Sequence, residues 1–271
     1  GDDPEDQLLQ VLRETANALA DASGGKLSVR EPAQAGPHPD KPSLTVANVQ
    51  YLAVPGGPEL APFVAFLKAL ARPDASARET LPPAEVRVYM APTCPNCPLV
   101  VGACLELAVR FPGINLQVVD AMYFTDLAGP LKSVPAVVVD QAYTEIGPLS
   151  GAELLRILKR RHDPGFQVDA LESMINAGRF AETLAWLRRQ DAFSLLAPLM
   201  RRAGIKERMG VMLMFEEVLE EEPHGLDAAV PHLLPLLQEE DPALRGDTAD
   251  LLGQVGAPGA DQALKTLRAD D

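Results

Sequence analysis

Cys94-Pro95-Asn96-Cys97 is the one stretch of this sequence whose residue types and spacing point straight to chemistry. Two thiols three residues apart can form a disulfide, and they can pass it to another molecule by exchange. The run before them, Val86-Arg87-Val88-Tyr89-Met90, is β-like and ends in the breakers Ala91-Pro92-Thr93. The run after them is helical, with apolar residues at Leu99, Val100, Ala103, Leu105 and Leu107. The spacing therefore predicts a helix that opens at Cys94. Free N–H groups and the positive end of the macrodipole stabilise a thiolate there and lower the pKa of the first cysteine. The second thiol, one turn along, can attack a mixed disulfide formed on the first and release the partner.

A zinc site would need a second cysteine pair or histidines at ligand spacing. His38, His162, His224 and His232 have no cysteine neighbour at such spacing, so no metal is expected. Cys104 falls on the same helical face as Cys97 and reads as a small core residue.

The elements that follow position this site. The helix breaks at Pro112-Gly113, Ile114 to Val119 forms a short strand, and Phe124 to Gly129 reads as irregular. Ser133-Val134-Pro135 leads into the strand Ala136 to Val139. Asp140-Gln141 turns the chain into Tyr143 to Ile146, and Ser150 caps a helix carrying Leu154, Leu155, Ile157 and Leu158. The order is strand, helix, strand, helix, hairpin, helix.

With the dithiol at a helix start and Val134-Pro135 heading the third strand, residues 80–162 resemble a thioredoxin or glutaredoxin-type domain. The resemblance implies a cis Pro135 beside the disulfide. It also implies a substrate groove shaped by Val134 and Pro135, with Thr93, Pro95 and Asn96 around the nucleophile. Cys94 is then the nucleophile and Cys97 the resolving thiol. Two departures stand out. The acid that thioredoxins carry six residues before the first cysteine is replaced by Val88. The Gly-Gly turn of glutaredoxins is replaced by Asp140-Gln141-Ala142, which argues against glutathione as the obligatory substrate.

The first eighty residues repeat the pattern without the chemistry. Aligning Pro42 with Pro135 sets Ser43-Leu44-Thr45-Val46 on Ala136 to Val139, Val49 to Ala53 on the second hairpin strand, and Pro55 on Pro148. Cys94 and Cys97 then fall on Gly1 and Pro4, so this copy has no dithiol. No strand precedes its helix; either the parent sequence supplies one upstream or this copy has lost it. An inactive copy followed by a live one resembles the N-terminal module of the alkyl hydroperoxide reductase flavoprotein and the archaeal-type protein disulfide oxidoreductases. Lys41-Pro42-Ser43-Leu44, Tyr51 to Gly56 and Thr93 to Pro98 carry that resemblance. No flavin or nicotinamide fingerprint follows, so no cofactor is expected and electrons must come from an external reductase or oxidant.

From about Gly165 the pattern is all-helical. Asp241-Pro242-Ala243-Leu244-Arg245, Leu251-Leu252-Gly253, Val255-Gly256 and Ala263-Leu264-Leu267 resemble a HEAT-type repeat, and Leu234, Leu237, Glu240 and Asp241 recur as Leu264, Leu267, Asp270 and Asp271. The expected architecture is α/β plus all-α: a thioredoxin-like domain without the dithiol (1–78), a redox-active one (79–163) and a HEAT-like α-solenoid (164–271).

The 271 residues carry 38 acids against 24 Lys and Arg, a formal net charge of −14, which disfavours nucleic acid as a partner. Of these, 20 acids and 11 bases lie in 161–271, as on a solvated helical surface. Three cysteines do not make a disulfide-stapled secreted domain. No apolar run reaches about 18 residues and no cleavable signal is visible. A cytoplasmic setting is expected, with the periplasm left open.

Two functions follow. One is a thiol–disulfide oxidoreductase acting on a protein partner docked by the helical repeats. Its direction stays open between reducing a peroxiredoxin-like partner and oxidising or isomerising clients. The other is a non-catalytic redox-sensing scaffold.

Overall fold

The computed structural model describes residues 4–30, 37–72, 80–129, 131, 133–202 and 204–256, and it divides at Lys159 and Arg160 into two compact units. In the first unit the chain runs through α1 (Pro4–Ala22), β1 (Leu44–Val46), β2 (Val49–Leu52) and α2 (Leu60–Leu70). It continues with β3 (Ala84–Met90), α3 (Cys97–Arg110), β4 (Ile114–Asp120), α4 (Thr125–Ala128), β5 (Ala136–Val139), β6 (Tyr143–Ile146) and α5 (Gly151–Arg160).

Each boundary has a local cause. Val86, Val88 and Met90 share the face of β3 opposite Glu85 and Arg87, and all three are buried. Asp140 and Gln141 both take positive φ, 50° and 57°, in the three-residue connection 140–142 between the paired Val139 and Tyr143. Before α5, the Ser150 hydroxyl accepts from the Glu153 N–H at 3.3 Å while the Glu153 carboxylate accepts from the Ser150 N–H at 2.9 Å. That reciprocal pair starts the helix.

The six strands form one sheet, ordered β1-β2-β4-β3-β5-β6. Strands β2, β4 and β3 are parallel, whereas β1, β5 and β6 are antiparallel to their neighbours. Residues 84–160 alone give strand, helix, strand, helix, hairpin, helix, which is the thioredoxin-like arrangement. The first eighty residues do not build a separate sheet: their hairpin extends this one at the edge of β4. Their described residues begin with α1 and hold no strand between it and β1, so they supply helix, hairpin, helix.

Side-chain bonds stitch the two halves. The Asn48 amide donates to the Ala108 and Ile114 carbonyls at 2.9 and 2.6 Å. Gln50, Gln117 and Arg87 lie opposite one another across β2, β4 and β3. Gln117 donates to the Gln50 carbonyl oxygen at 3.5 Å, and Arg87 Nε donates to that of Gln117 at 2.5 Å. Such a buried polar row is tolerable only when its members are paired, and it pins the register of all three strands.

The structure corrects two local expectations. The segment after Phe124 is not irregular but forms the short helix α4. Leu99 is not on the buried face of α3; it is 75% exposed.

In the second unit the helices are α6 (Pro164–Asn176), α7 (Phe180–Arg189), α8 (Leu196–Arg202), α9 (Ile205–Glu221), α10 (Val230–Leu233) and α11 (Pro242–Val255). Two of them start on Asp-Pro. The Asp163 carboxylate accepts from the Phe166 N–H at 3.0 Å and that of Asp241 from the Ala243 N–H at 2.9 Å, with proline preset for the first helical position. α6 packs on α7, α8 and α9, and α9 packs on α11, burying Leu171, Met174, Trp186, Leu187, Met214 and Phe215. The recurrence at Leu264, Leu267, Asp270 and Asp271 lies outside the described residues.

The hairpin turn gives a first expected outcome. Gln141 holds a positive φ despite its side chain, and the bond of its amide to Glu85 at 2.9 Å lies on the surface. Gln141→Gly should raise stability by about 0.5–1 kcal/mol, because glycine adopts that conformation without steric cost. A thermal melt reads it as a rise in midpoint.

Candidate redox site

Strand β3 delivers the chain to the C-terminal end of the sheet, where Ala91 to Asn96 make a turn closed by the Cys94 N–H on the Ala91 carbonyl at 3.0 Å. The helix starts at Cys97, with Asn96 in the N-cap position. Cys94 thus lies in the turn ahead of α3, not on its first turn as the spacing predicts. Pro95 and Pro98 flank the start, and proline is accepted in a first turn because its missing N–H would find no intrahelical partner there.

Cys94 and Cys97 form a disulfide, with Cα atoms 5.5 Å apart. The two sulfurs differ in access. Cys97 is fully buried, whereas Cys94 is half-exposed and surrounded by the exposed Thr93, Pro95 and Asn96. An incoming thiolate or disulfide therefore meets Cys94 first. Its Sγ lies 3.8 Å from the Val134 carbonyl oxygen. A disulfide sulfur has no proton to donate, so this contact becomes a hydrogen bond only when Cys94 is a thiol. The Val134-Pro135 bond is cis, and Pro135 heads β5 with its carbonyl accepting from the Gly147 N–H at 2.8 Å. The structure thus gathers all seven sequence-derived site residues at one end of the sheet.

Cys104 is the third cysteine. It is buried mid-helix, and burial pushes its thiol up to about 12, far from thiolate chemistry at neutral pH.

One residue that sequence reading misses stands out. The turn Gly57–Glu59 ahead of α2 packs against α3, and α2 itself lies so close that a Cβ on Gly102 would come 3.4 Å from Pro62. Glu59 points inward from this turn and is 3% exposed, with no hydrogen-bond partner for its buried carboxyl oxygens among the described residues. Burial pushes its pKa up to about 7. The Tyr51 hydroxyl, also buried, is close enough to feel that charge, and burial drives its own pKa upward; the two groups do not meet hydrogen-bond geometry. In sequence, Glu59 looks like an ordinary first-turn acid. Its only signal is that it is the sole acid from Ala53 to Leu70. Glu59 thus sits buried on a turn packed against the helix that begins at Cys97.

Glu59 makes stability pH-dependent in a defined direction. Its folded value lies above the ordinary 4.5. The folded chain therefore keeps a proton that the unfolded chain has lost between those pH values. Stability falls as pH rises through that window and levels off above it. Glu59→Gln should remove this slope and, near pH 8, stabilise the chain by about 3 kcal/mol relative to the parent. Denaturant titrations at pH 5 and pH 8 check it.

Among the described residues no three His, Cys, Asp or Glu side chains gather as a metal site, and no helix is long and apolar enough to cross a membrane. No family model matches the sequence, and no curated protein matches it. Several solved structures are similar to it. A mutant of the alkylhydroperoxide reductase component AhpF from Enterococcus faecalis matches with 21% identity and a TM-score of 0.34, over 42% of this chain and 59% of that one. The NTD_N/C domain of the AhpF from that organism matches with 22% identity and a TM-score of 0.43, over 58% and 85%. A protein disulfide oxidoreductase from Aeropyrum pernix matches with 20% identity and a TM-score of 0.36, over 42% and 56%. This chain therefore spans about three-fifths of that AhpF mutant and less of the Aeropyrum protein.

Proposed function

We propose that the chain is a thiol–disulfide oxidoreductase with Cys94 as nucleophile and Cys97 as resolving thiol. The observation that carries this is the asymmetry of the pair: one reachable sulfur beside the Val134 carbonyl and one buried sulfur behind it. In the reduced protein the Cys94 thiolate attacks a partner disulfide. A Cys94–partner mixed disulfide forms and one partner thiolate leaves. The Cys97 thiolate then attacks Cys94 Sγ, the Cys94–Cys97 disulfide forms, and the second partner thiolate leaves. Two electrons pass to the partner, and an external dithiol restores the pair.

The finer organisation belongs to the same reading: a part without the dithiol over 1–78 whose hairpin extends the sheet, an active thioredoxin-like one over 79–163, and a HEAT-like stack over 164–271 that docks a protein partner, peroxiredoxin-like among the candidates. Thr93, Pro95, Asn96, Val134 and Pro135 line the place where the partner's cysteine must sit.

Insulin reduction by dithiothreitol tests the proposal. The full chain should accelerate it, and Cys94→Ser should return the rate to that of dithiothreitol alone. A chain that never turns over but binds its partner differently in the two redox states would be a sensor instead.

A further inference from the structure

Helix α9 keeps one stripe for solvent. Met209 is 56% exposed and Leu213 53%, and Glu216, Glu217 and Glu220 continue the line as exposed side chains. These positions follow one another at i, i+4, i+7, i+8 and i+11, which is a single helical face. The rest of the helix is spent on the core: Val211, Met214, Phe215 and Val218 are buried, and α9 packs on α6, α7 and α11. The stripe is therefore apolar in its first half and acidic in its second. A lone exposed apolar residue needs no explanation, but two stacked one turn apart at the head of an acidic row make a surface with a pattern.

The relief beside the apolar pair is low. Arg208 on α9 reaches Asp241 at 3.4 Å and Asp247 at 2.8 Å, which sets the first turns of α9 and α11 side by side. Gly246, next to Asp247, is exposed, and an added Cβ there would meet nothing within 4 Å. A second helix can approach Met209 from that side without meeting a side chain at Gly246.

The charges name the partner's chemistry. Every arginine of 161–256 is engaged: Arg188 with Glu222, Arg201 with Glu239, Arg202 with Asp169 and Glu172, and the others likewise. Among the described residues, none of their partners is Glu216, Glu217 or Glu220. The side chain of Lys206 lies outside the described residues, but its place on α9 is ten residues before Glu216, about 15 Å of helix and beyond the reach of an ion pair. The row of acids is thus left for something else to meet. A nucleic acid or an anionic membrane would be repelled by it, and a second copy of this chain would bring the same acids and a net charge of −14. A basic polypeptide is attracted.

We propose that this stripe is the docking site for a basic amphipathic helix of the protein partner. Two apolar side chains of that helix, one turn apart, seat on Met209 and Leu213, and its Lys or Arg residues on the same face meet Glu216, Glu217 and Glu220. The proposal rests on the reading above that the helical stack docks a protein partner, and it is independent of the exchange chemistry at Cys94.

Fluorescence anisotropy with the full, oxidised chain tests it. The probe is a labelled, cysteine-free helical peptide of Ala and Gln, with a central Leu pair at i, i+4 and Lys on the same face on both sides, so that either chain direction fits. Control peptides carry Ser for Leu or Glu for Lys. The Leu/Lys peptide should bind about tenfold tighter than the Ser control and at least as much tighter than the Glu control, and the second preference should shrink as salt is raised. Met209→Ser with Leu213→Ser should weaken binding about tenfold. Glu216→Gln, Glu217→Gln and Glu220→Gln together should weaken it about as much and flatten its salt dependence. All five positions are exposed, so both variants should keep the parental circular-dichroism melt and the parental rate of insulin reduction. Equal affinity for the three peptides, or affinity that neither variant changes, would overturn the proposal. Lys265→Glu with Arg268→Glu should leave binding as it is; binding seen only in that variant would place the chain's own segment 257–271 on the stripe and overturn the proposal as well. So would a dimer, seen by sedimentation, that Met209→Ser with Leu213→Ser dissolves. Loss of insulin reduction in the parent chain would strike the exchange reading alone.

Discussion

Cys97→Ser should convert the chain from a turnover catalyst into a covalent trap. Cys94 still attacks, but the second thiolate that releases the partner is gone, so the mixed disulfide persists until an external thiol reaches it. Steady-state turnover should fall by about two orders of magnitude or more, since an intramolecular step becomes a bimolecular one. Non-reducing gels after incubation with a disulfide client should show a band at the summed mass that dithiothreitol removes. Cys94→Ser should show neither turnover nor the band, and Cys104→Ala should behave as the parent.

Trp186→Ala should be the most destabilising single change in the second unit. Trp186 is the largest fully buried side chain in the molecule, at 2% exposure on α7, which packs against α6 and α9. Truncation leaves a cavity in a helical core and should cost about 3–5 kcal/mol. A loss of that size consumes much of the stability a domain of this length ordinarily has. The first unit has its own core around the sheet, from Leu52 and Tyr89 to Val119 and Phe124. Calorimetry should therefore show one transition displaced downward and another little changed. Exchange with hydroxyethyl disulfide should survive below the second transition.

The redox half of the fold is legible in the sequence because its signals are short-range. Alternation along Val86 to Met90, the breakers at Ala91-Pro92-Thr93, and the turn that starts at Asp140-Gln141 each fix a boundary through local backbone preference. The pattern from Pro42 to Leu70 shows a hairpin followed by a helix. It does not show that the hairpin extends the sheet of β3 to β6, because edge pairing between β2 and β4 is a long-range choice written in no local pattern. Leu99 reads as core because apolarity alone does not distinguish a buried face from an exposed one. Glu59 escapes notice for the converse reason: an acid before a helix is normally solvated, and only packing against α3 reveals that this one is not. Cys94 reads as helical because three-residue spacing fits a helix turn, yet the first helical residue is Cys97.

The central claim is that Cys94 is the reactive thiolate and Cys97 the shielded one. It is tested most directly by alkylating the fully reduced chain with substoichiometric iodoacetamide at neutral pH and locating the label by peptide mass. Cys94 should be modified first and by a wide margin, at a rate that follows a titration below the free-thiol value of about 8.5. Preferential labelling of Cys97, or equal slow labelling of both, would contradict the assignment.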